Sequence, residues 1–273
     1  MRVGRIPWIN CYPVYGAIDR GLVPLPGELV SGTASELNDL LAAGELQVSV
    51  VSAVEYARNA AAYHLLPDLA ITCDGPVHSV ALFARRPPAE LDGRTVLLTA
   101  SSRTSVLLLE LLCRHRWGVT PRFAVARAEA SDLESLAGLP HDGVLVIGDA
   151  ALMLAARDRY PVRIDLGAEW KAWTGLPFVF AVWAARRDAA TTTVREIHRQ
   201  LLVSREWGLA HLDELAHMAA ERTGVAGAVC REYLGDLDYA LSYRHLAGLT
   251  DFFSRLAQDG LVPDGSLSFI SAA

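Results

Sequence analysis

The feature that most constrains this chain is a pair of strand-like segments placed as brackets. "SVALFARR" (Ser79 to Arg86) and "FVFAVWAARR" (Phe178 to Arg187) are each a β-rich run of strand length ending in Arg-Arg. Between them lies a block that itself alternates short strands with helices. Such a pair reads either as two ordinary core strands with solvated basic ends, or as the crossings between two lobes. In the second reading one strand leaves the first lobe and the other returns to it. Residues 1–83 and 184–273 then form one discontinuous lobe and residues 84–183 the other. The hinge falls at 79–86 and 178–187, with a cleft between lobes that close on a ligand.

The rest of the pattern agrees with an α/β body. Before the first bracket, "VGRIPWI", "ELVSG", "QVSVVS" and "LAITC" read as strands, with "TASELNDLLAAG" and "AVEYARNAA" as helices. Inside the brackets, "RTVLLT", "GVLVIGD" and "VRIDLG" alternate with the helical "SRTSVLLLELLCRHRWG" and "AALMLAARDRY". This order predicts mostly parallel strands. One helix has explicit ends: Thr33 is placed to cap it, Glu36 completes a capping box, and Gly44 closes it. From Thr191 to Gly260 every segment reads as helix, a tail that must pack against the α/β body.

Composition narrows the function classes. The apolar fraction is 52%, ample for a core, and the net charge of −6 is spread without a basic stripe. Nucleic acid and anionic membrane are therefore poor partners. The longest apolar run, "GLPFVFAVWAA", is strand-sized and β-rich rather than a membrane span. The N-terminal run lacks the pattern of a signal peptide, and Cys11, Cys73, Cys113 and Cys230 form no CxxC pair. The expectation is a cytoplasmic protein with reduced thiols and no metal site.

In open α/β sheets, ligands sit beyond the carboxyl ends of strands and against helix N-termini. The strand ends here carry Asn10, Thr33 and Ser35, Ser49 and Ser52, and Ser79 at a strand start. The second block adds the run Ser101 to Ser105 (with Ser102, Thr104 and Ser105), then Gly148-Asp149 and Thr174-Gly175. Hydroxyls, amides and glycines in that position suit a small organic anion held by short donors and backbone N–H groups. Each also has a simpler role. Thr33 and the serine cluster serve as helix caps, Gly148-Asp149 as a strand-to-helix turn, and Asn10 as a turn residue before Cys-Tyr-Pro. No GxSxG, HExxH, P-loop or GxGxxG occurs. His198, His211, His217 and His245 read as solvated helix positions, and His78 as a partly exposed loop residue. A reaction here would run without a strong dedicated acid or base.

Taken together, "GRIPWINCYPV", "ASELNDLLAAGELQVSVVSAVEYAR", "LPDLAI", "SVALFARRP", "LTASSRTSVLLLELL", "VLVIGDAAL" and "DLGAEWKAWTGLPFVFAVWAAR" resemble one known family. It is the MqnA family of chorismate dehydratases, enzymes of futalosine-type menaquinone biosynthesis. The resemblance runs in order from Arg2 to about Arg187; the helical tail is less distinctive. It implies a two-lobed clamshell like the type II periplasmic binding proteins, and dehydration of chorismate to 3-[(1-carboxyvinyl)oxy]benzoate without metal or organic cofactor. By the same resemblance Asn10 contacts the reacting part of the substrate. Ser79 hydrogen-bonds the departing hydroxyl or the proton-accepting group. Thr33, Ser35, Ser52, Ser102, Thr104, Ser105, Gly148, Asp149 and Gly175 bind or line the cleft. Two departures stand out: Ala34 replaces the proline of a Pro-Ser-Glu-Leu-Asn block, and Ala53 replaces the second serine of a Ser-Ser pair. The sister naphthoate synthase, which would need a general base such as a cleft histidine, and a binding-only protein for an organic anion are the alternatives.

Overall fold

The computed structural model describes residues 1–263 and 265–271 of the chain. Two five-stranded mixed sheets organise it. The first contains β1 (Arg2–Arg5), β2 (Glu28–Ser31), β3 (Val48–Ser52), β4 (Tyr63–Cys73) and β10 (Phe178–Arg186), in the order β2-β1-β3-β10-β4. The second contains β5 (Val80–Ala84), β6 (Thr95–Thr99), β7 (Arg122–Ala126), β8 (Gly143–Ile147) and β9 (Val162–Asp165), in the order β7-β6-β8-β5-β9. The central strands β3, β5 and β8 are buried throughout, which is why they read as runs of Val, Leu and small residues with no charge. The edge strand β7, "RFAVA", is mostly exposed and lacks that signal; the sequence pattern missed it.

The expectation of mostly parallel strands needs correction. β1–β2, β1–β3, β6–β7 and β6–β8 pair in parallel, while β5 and β10 run antiparallel to both of their neighbours. Parallel pairing needs a crossover within one sheet, and these two strands enter directly from the other lobe. The same fact moves the lobe boundary. β5 lies wholly in the second sheet and β10 wholly in the first, so the chain crosses before each strand, at 74–79 and 175–177.

Both crossings are built from backbone that favours glycine or a pinned loop. Gly75 and His78 have positive φ in the first, and Gly175 in the second. Asp165 accepts from the N–H groups of Val77 and His78 and also caps α7 (Leu166–Thr174), tying the first crossing to the second lobe. The second crossing is held by an aromatic knot. Trp170 lies 5.2 Å from Phe178 between ring centres and donates its indole N–H to Pro177 O at 3.2 Å.

The helical tail forms as expected, as α8 (Thr191–Ala210), α9 (Leu212–Thr223), α10 (Gly227–Asp236) and α11 (Tyr243–Gln258). It packs on the first lobe, α8 against α1 (Tyr12–Asp19) and α11 against β10. The α1–α8 crossing is close enough that a side chain at Gly208 would meet Pro13 O at 2.1 Å. His245, read as solvated, is buried: it completes a capping box with Ser242 and hydrogen-bonds Thr72. His198 is likewise half-buried, bonded to Pro67 O. No helix of the described residues is long and apolar enough to cross a membrane.

Candidate active site

A small cavity of about 50 Å³ lies between the two sheets, where both sets of strand ends converge. Its polar lining consists of Asn10, Ser52, Ser79, Ser102 and Ser105, with Gly148 contributing backbone; Trp8, Ile71 and Phe180 are among its apolar walls. Six sequence-predicted residues thus meet on one surface.

Asn10 sits in the single turn Ile9–Cys11 that joins the loop after β1 to α1, with proline in the first turn of that helix. Its Oδ1 is buried and has no hydrogen-bond partner. A buried amide oxygen without a partner is uncommon and marks a place where a ligand completes the bonding. Ser79 precedes β5, and its Oγ accepts from the buried Tyr233 hydroxyl at 2.8 Å, while its carbonyl accepts from Gly148 N–H at 2.7 Å. Ser52 ends β3 next to α3 (Ala53–Arg58), yet its hydroxyl does not cap that helix. Asn38, fully buried on α2 (Ala34–Ala42), clamps it instead, accepting from Ser52 N–H at 3.1 Å and donating to its Oγ at 3.3 Å. Ser102 caps α4 (Arg103–Leu111) by accepting from Ser105 N–H, and donates to Ser105 Oγ at 3.1 Å.

Gly148 opens α6 (Gly148–Ala155) with φ of +62°, and a Cβ there would meet the Trp8 ring at 3.0 Å. Only glycine satisfies both the backbone and the closeness of the indole. Trp8 therefore packs across the cleft from the first lobe onto the second, a role the sequence did not signal.

The other predicted residues stand elsewhere. Thr33 forms the capping box of α2 with Glu36 and lies outside the cavity wall. The remaining contacts bridge the lobes. Ser35 donates to Ala100 O at 2.8 Å, and buried Thr104 accepts from Val54 N–H at 3.1 Å. Asp149 accepts from Ile9 N–H at 3.0 Å with Arg222 at 3.5 Å, and burial pushes its carboxyl up to about 6. Between them Arg103 reaches from the second lobe to Asp39 at 2.5 Å and to the buried Glu55. These contacts fasten the rim around the cavity. Ser49 is spent on Val50 O within β3, and Gly175 ends α7 with a left-handed turn at the second crossing, away from the cavity. His78 turns its ring outward to Asp236 at 2.9 Å and does not line the cavity.

Of the residues that sequence reasoning missed, Asn38 had a readable signal. It is a polar residue on the stripe formed by Ala34, Leu37 and Leu41, where an amphipathic helix should be apolar. Tyr233 had none, because an aromatic beside Cys230 and Leu234 on the buried stripe of α10 reads as ordinary core.

Residues 1–258 match a family model described as menaquinone biosynthesis. The chain is 36% identical over 242 residues to the chorismate dehydratase of Thermus thermophilus, a match covering 81% of this chain and 84% of that one. To the 1,4-dihydroxy-6-naphtoate synthase of the same organism it is 27% identical over 221 residues, covering 78% and 76%. Among solved structures, the alkanesulfonate-binding protein SsuA of Xanthomonas axonopodis pv. citri, bound to MOPS, superposes with a TM-score of 0.69. It does so at 15% identity, over 98% of this chain and 95% of that one. This likeness establishes a two-lobed fold of the periplasmic-binding-protein kind. With a family match running from the first residue to Gln258, the chain belongs to the menaquinone-biosynthesis family.

Proposed function

We propose that this protein is a chorismate dehydratase, releasing water from chorismate to give 3-[(1-carboxyvinyl)oxy]benzoate. The observation that carries the reading is the cavity wall itself, with the buried, unpartnered Oδ1 of Asn10 and the Ser79 hydroxyl lining one space between the lobes. A substrate hydroxyl placed there donates to Asn10 Oδ1 and accepts from Ser79. In chorismate the group so held is the C4 hydroxyl. Its C–O bond breaks as the C3 proton leaves, and the electrons of the C3–H bond complete the aromatic ring. Ser79 supports the departing oxygen with a hydrogen bond, and the aromatic product supplies much of the driving force. The cavity is lined by amide, hydroxyl, backbone and apolar groups. We therefore assign the proton to a carboxylate of the substrate, held within reach by the enclosure.

The first turns of α4 and α6 both contribute to the lining, and the positive ends of their dipoles favour a bound carboxylate. The cavity, about 50 Å³, is small for a cyclohexadiene dicarboxylate, which supports a parting of the lobes at the two crossings as substrate enters. The outward turn of the His78 ring supports the dehydratase over the naphthoate synthase, for which a histidine base in the cleft was the expectation. Four buried, unpaired cysteines support a reducing, cytoplasmic setting.

The test is to mix purified protein with chorismate and follow products by chromatography and mass. A product lighter by one water, with a benzoate-type ultraviolet spectrum, is expected. Asn10→Ala should lower its rate by ~100-fold or more, the loss typical of one aimed polar contact at a reacting centre. Near-wild-type turnover by a folded Asn10→Ala variant would leave Asn10 as a turn residue only.

A further inference from the structure

We infer that Tyr233, on the helical tail, is a positioning residue that sets the direction of the Ser79 hydroxyl proton; the inference rests on the dehydratase reading. Two hydroxyls 2.8 Å apart can share a hydrogen bond in either sense, and the surroundings decide which. Tyr233 is buried with its oxygen on Ser79, and Ser79 Oγ is the one hydrogen-bond partner of that phenol found among the described residues. If Ser79 donated to Tyr233, the phenol proton would be left without an acceptor in an apolar setting, a state buried hydroxyls avoid. Tyr233 therefore donates, and Ser79 accepts with one lone pair.

That choice has a consequence at the cavity. A serine hydroxyl has one proton and two lone pairs, so once Oγ accepts from Tyr233 its own proton points away from the phenol. The remaining direction is into the space that Ser79 lines with Asn10 and Ser105. The Ser79 backbone is held as well. Its N–H donates to Val77 O at 2.7 Å and its carbonyl accepts from Gly148 at 2.7 Å, so the side chain works from a fixed base. Burial drives the Tyr233 phenol well above its ordinary value, which keeps it a neutral donor at all physiological pH. The helical tail thereby reaches into the chemistry: α10 carries the Tyr233 that orients a residue 154 positions earlier in the chain.

Tyr233→Phe removes one oxygen and keeps the ring. Its kcat with chorismate should fall ~10-fold with KM little changed, because Ser79 keeps its place and loses only its orientation. The decisive readout is a double-mutant cycle. In the Ser79→Ala background, Tyr233→Phe should change kcat by less than about 2-fold, since its effect passes through the absent hydroxyl. An equal fall in both backgrounds would assign Tyr233 a structural role and overturn the inference, as would full activity of Tyr233→Phe beside an active wild type. A folded wild type inert on chorismate would remove the dehydratase reading and the positioning role with it.

Discussion

The cavity wall and the rim that surrounds it use the same chemical groups for opposite ends. Ser52, Ser79 and Ser105 on the wall, and Thr33, Ser35 and Thr104 around it, are all short hydroxyls, Ser79 before a strand and the others next to helix starts. On the wall, each Oγ accepts from a neighbouring side chain, Asn38, Tyr233 or Ser102, and its own proton remains for a ligand. Around it, the hydroxyls hold scaffold instead: Thr33 and Thr104 accept from the Glu36 and Val54 N–H groups, and Ser35 donates its proton to the Ala100 carbonyl. A short hydroxyl thus faces the cavity or ties the scaffold according to where the fold places it. The Ser35 and Thr104 contacts join one lobe to the other, while that of Thr33 stays within the first turn of α2.

Three substitutions probe this division, beginning with the largest expected effect. Arg103→Ala strips the buried Glu55 carboxylate of its cationic partner, although Asn59 and Tyr63 still hydrogen-bond it. A loss of about 3 kcal/mol in denaturant stability is expected, with KM raised and kcat little changed, because closure rather than chemistry is weakened. A fall in kcat alone would make Arg103 part of the wall and break the comparison.

Asp149→Asn sharpens it through pH. The Asp149 carboxyl titrates near pH 6 in the folded protein, above its ordinary value, because burial outweighs the help of Ile9 N–H and Arg222. The folded state thus holds this proton more tightly than the unfolded chain. Ionised Asp149 costs stability above pH 6, on the order of 3 kcal/mol, and the cost disappears as pH falls from 6 toward 4. The amide keeps an acceptor for Ile9 N–H and carries no charge. Thermal melts should therefore show the variant more stable than wild type at pH 8, with the gap narrowing on acidification. A gap constant with pH would mean that the Arg222 pairing offsets the burial.

The smallest effect belongs to Thr33→Ala, which removes one side of the α2 capping box. A loss of about 1 kcal/mol is expected with turnover unchanged. A large rise in KM would return Thr33 to the wall.

Much of this molecule was legible in the residues, and the reasons are local. The central strands announced themselves because burial on both faces favours short uncharged runs rich in Val and Leu. The Thr33–Glu36 capping box was readable because both partners lie within one helical turn. The polar wall was legible as a set of strand-end hydroxyls, and the family blocks gathered them into one cleft. Less was visible wherever a distant partner decides. The edge strand β7 carries no burial signal, and the lobe boundary depends on which sheet β5 and β10 join. His245 reads as solvated until Thr72 is placed beside it.

The sequence by itself determined that the chain is an α/β body with a helical tail, that polar groups collect at strand ends, and which family it joins. Only the tertiary structure decided which of those groups remain free. Local capping involves partners three residues apart, as Thr33 and Glu36 show. The partners that engage Thr104 and Ser79 lie 50 and 154 residues away. A hydroxyl has one proton to give, and its direction is set by whichever donor or acceptor the fold brings within 3 Å, at whatever distance along the chain.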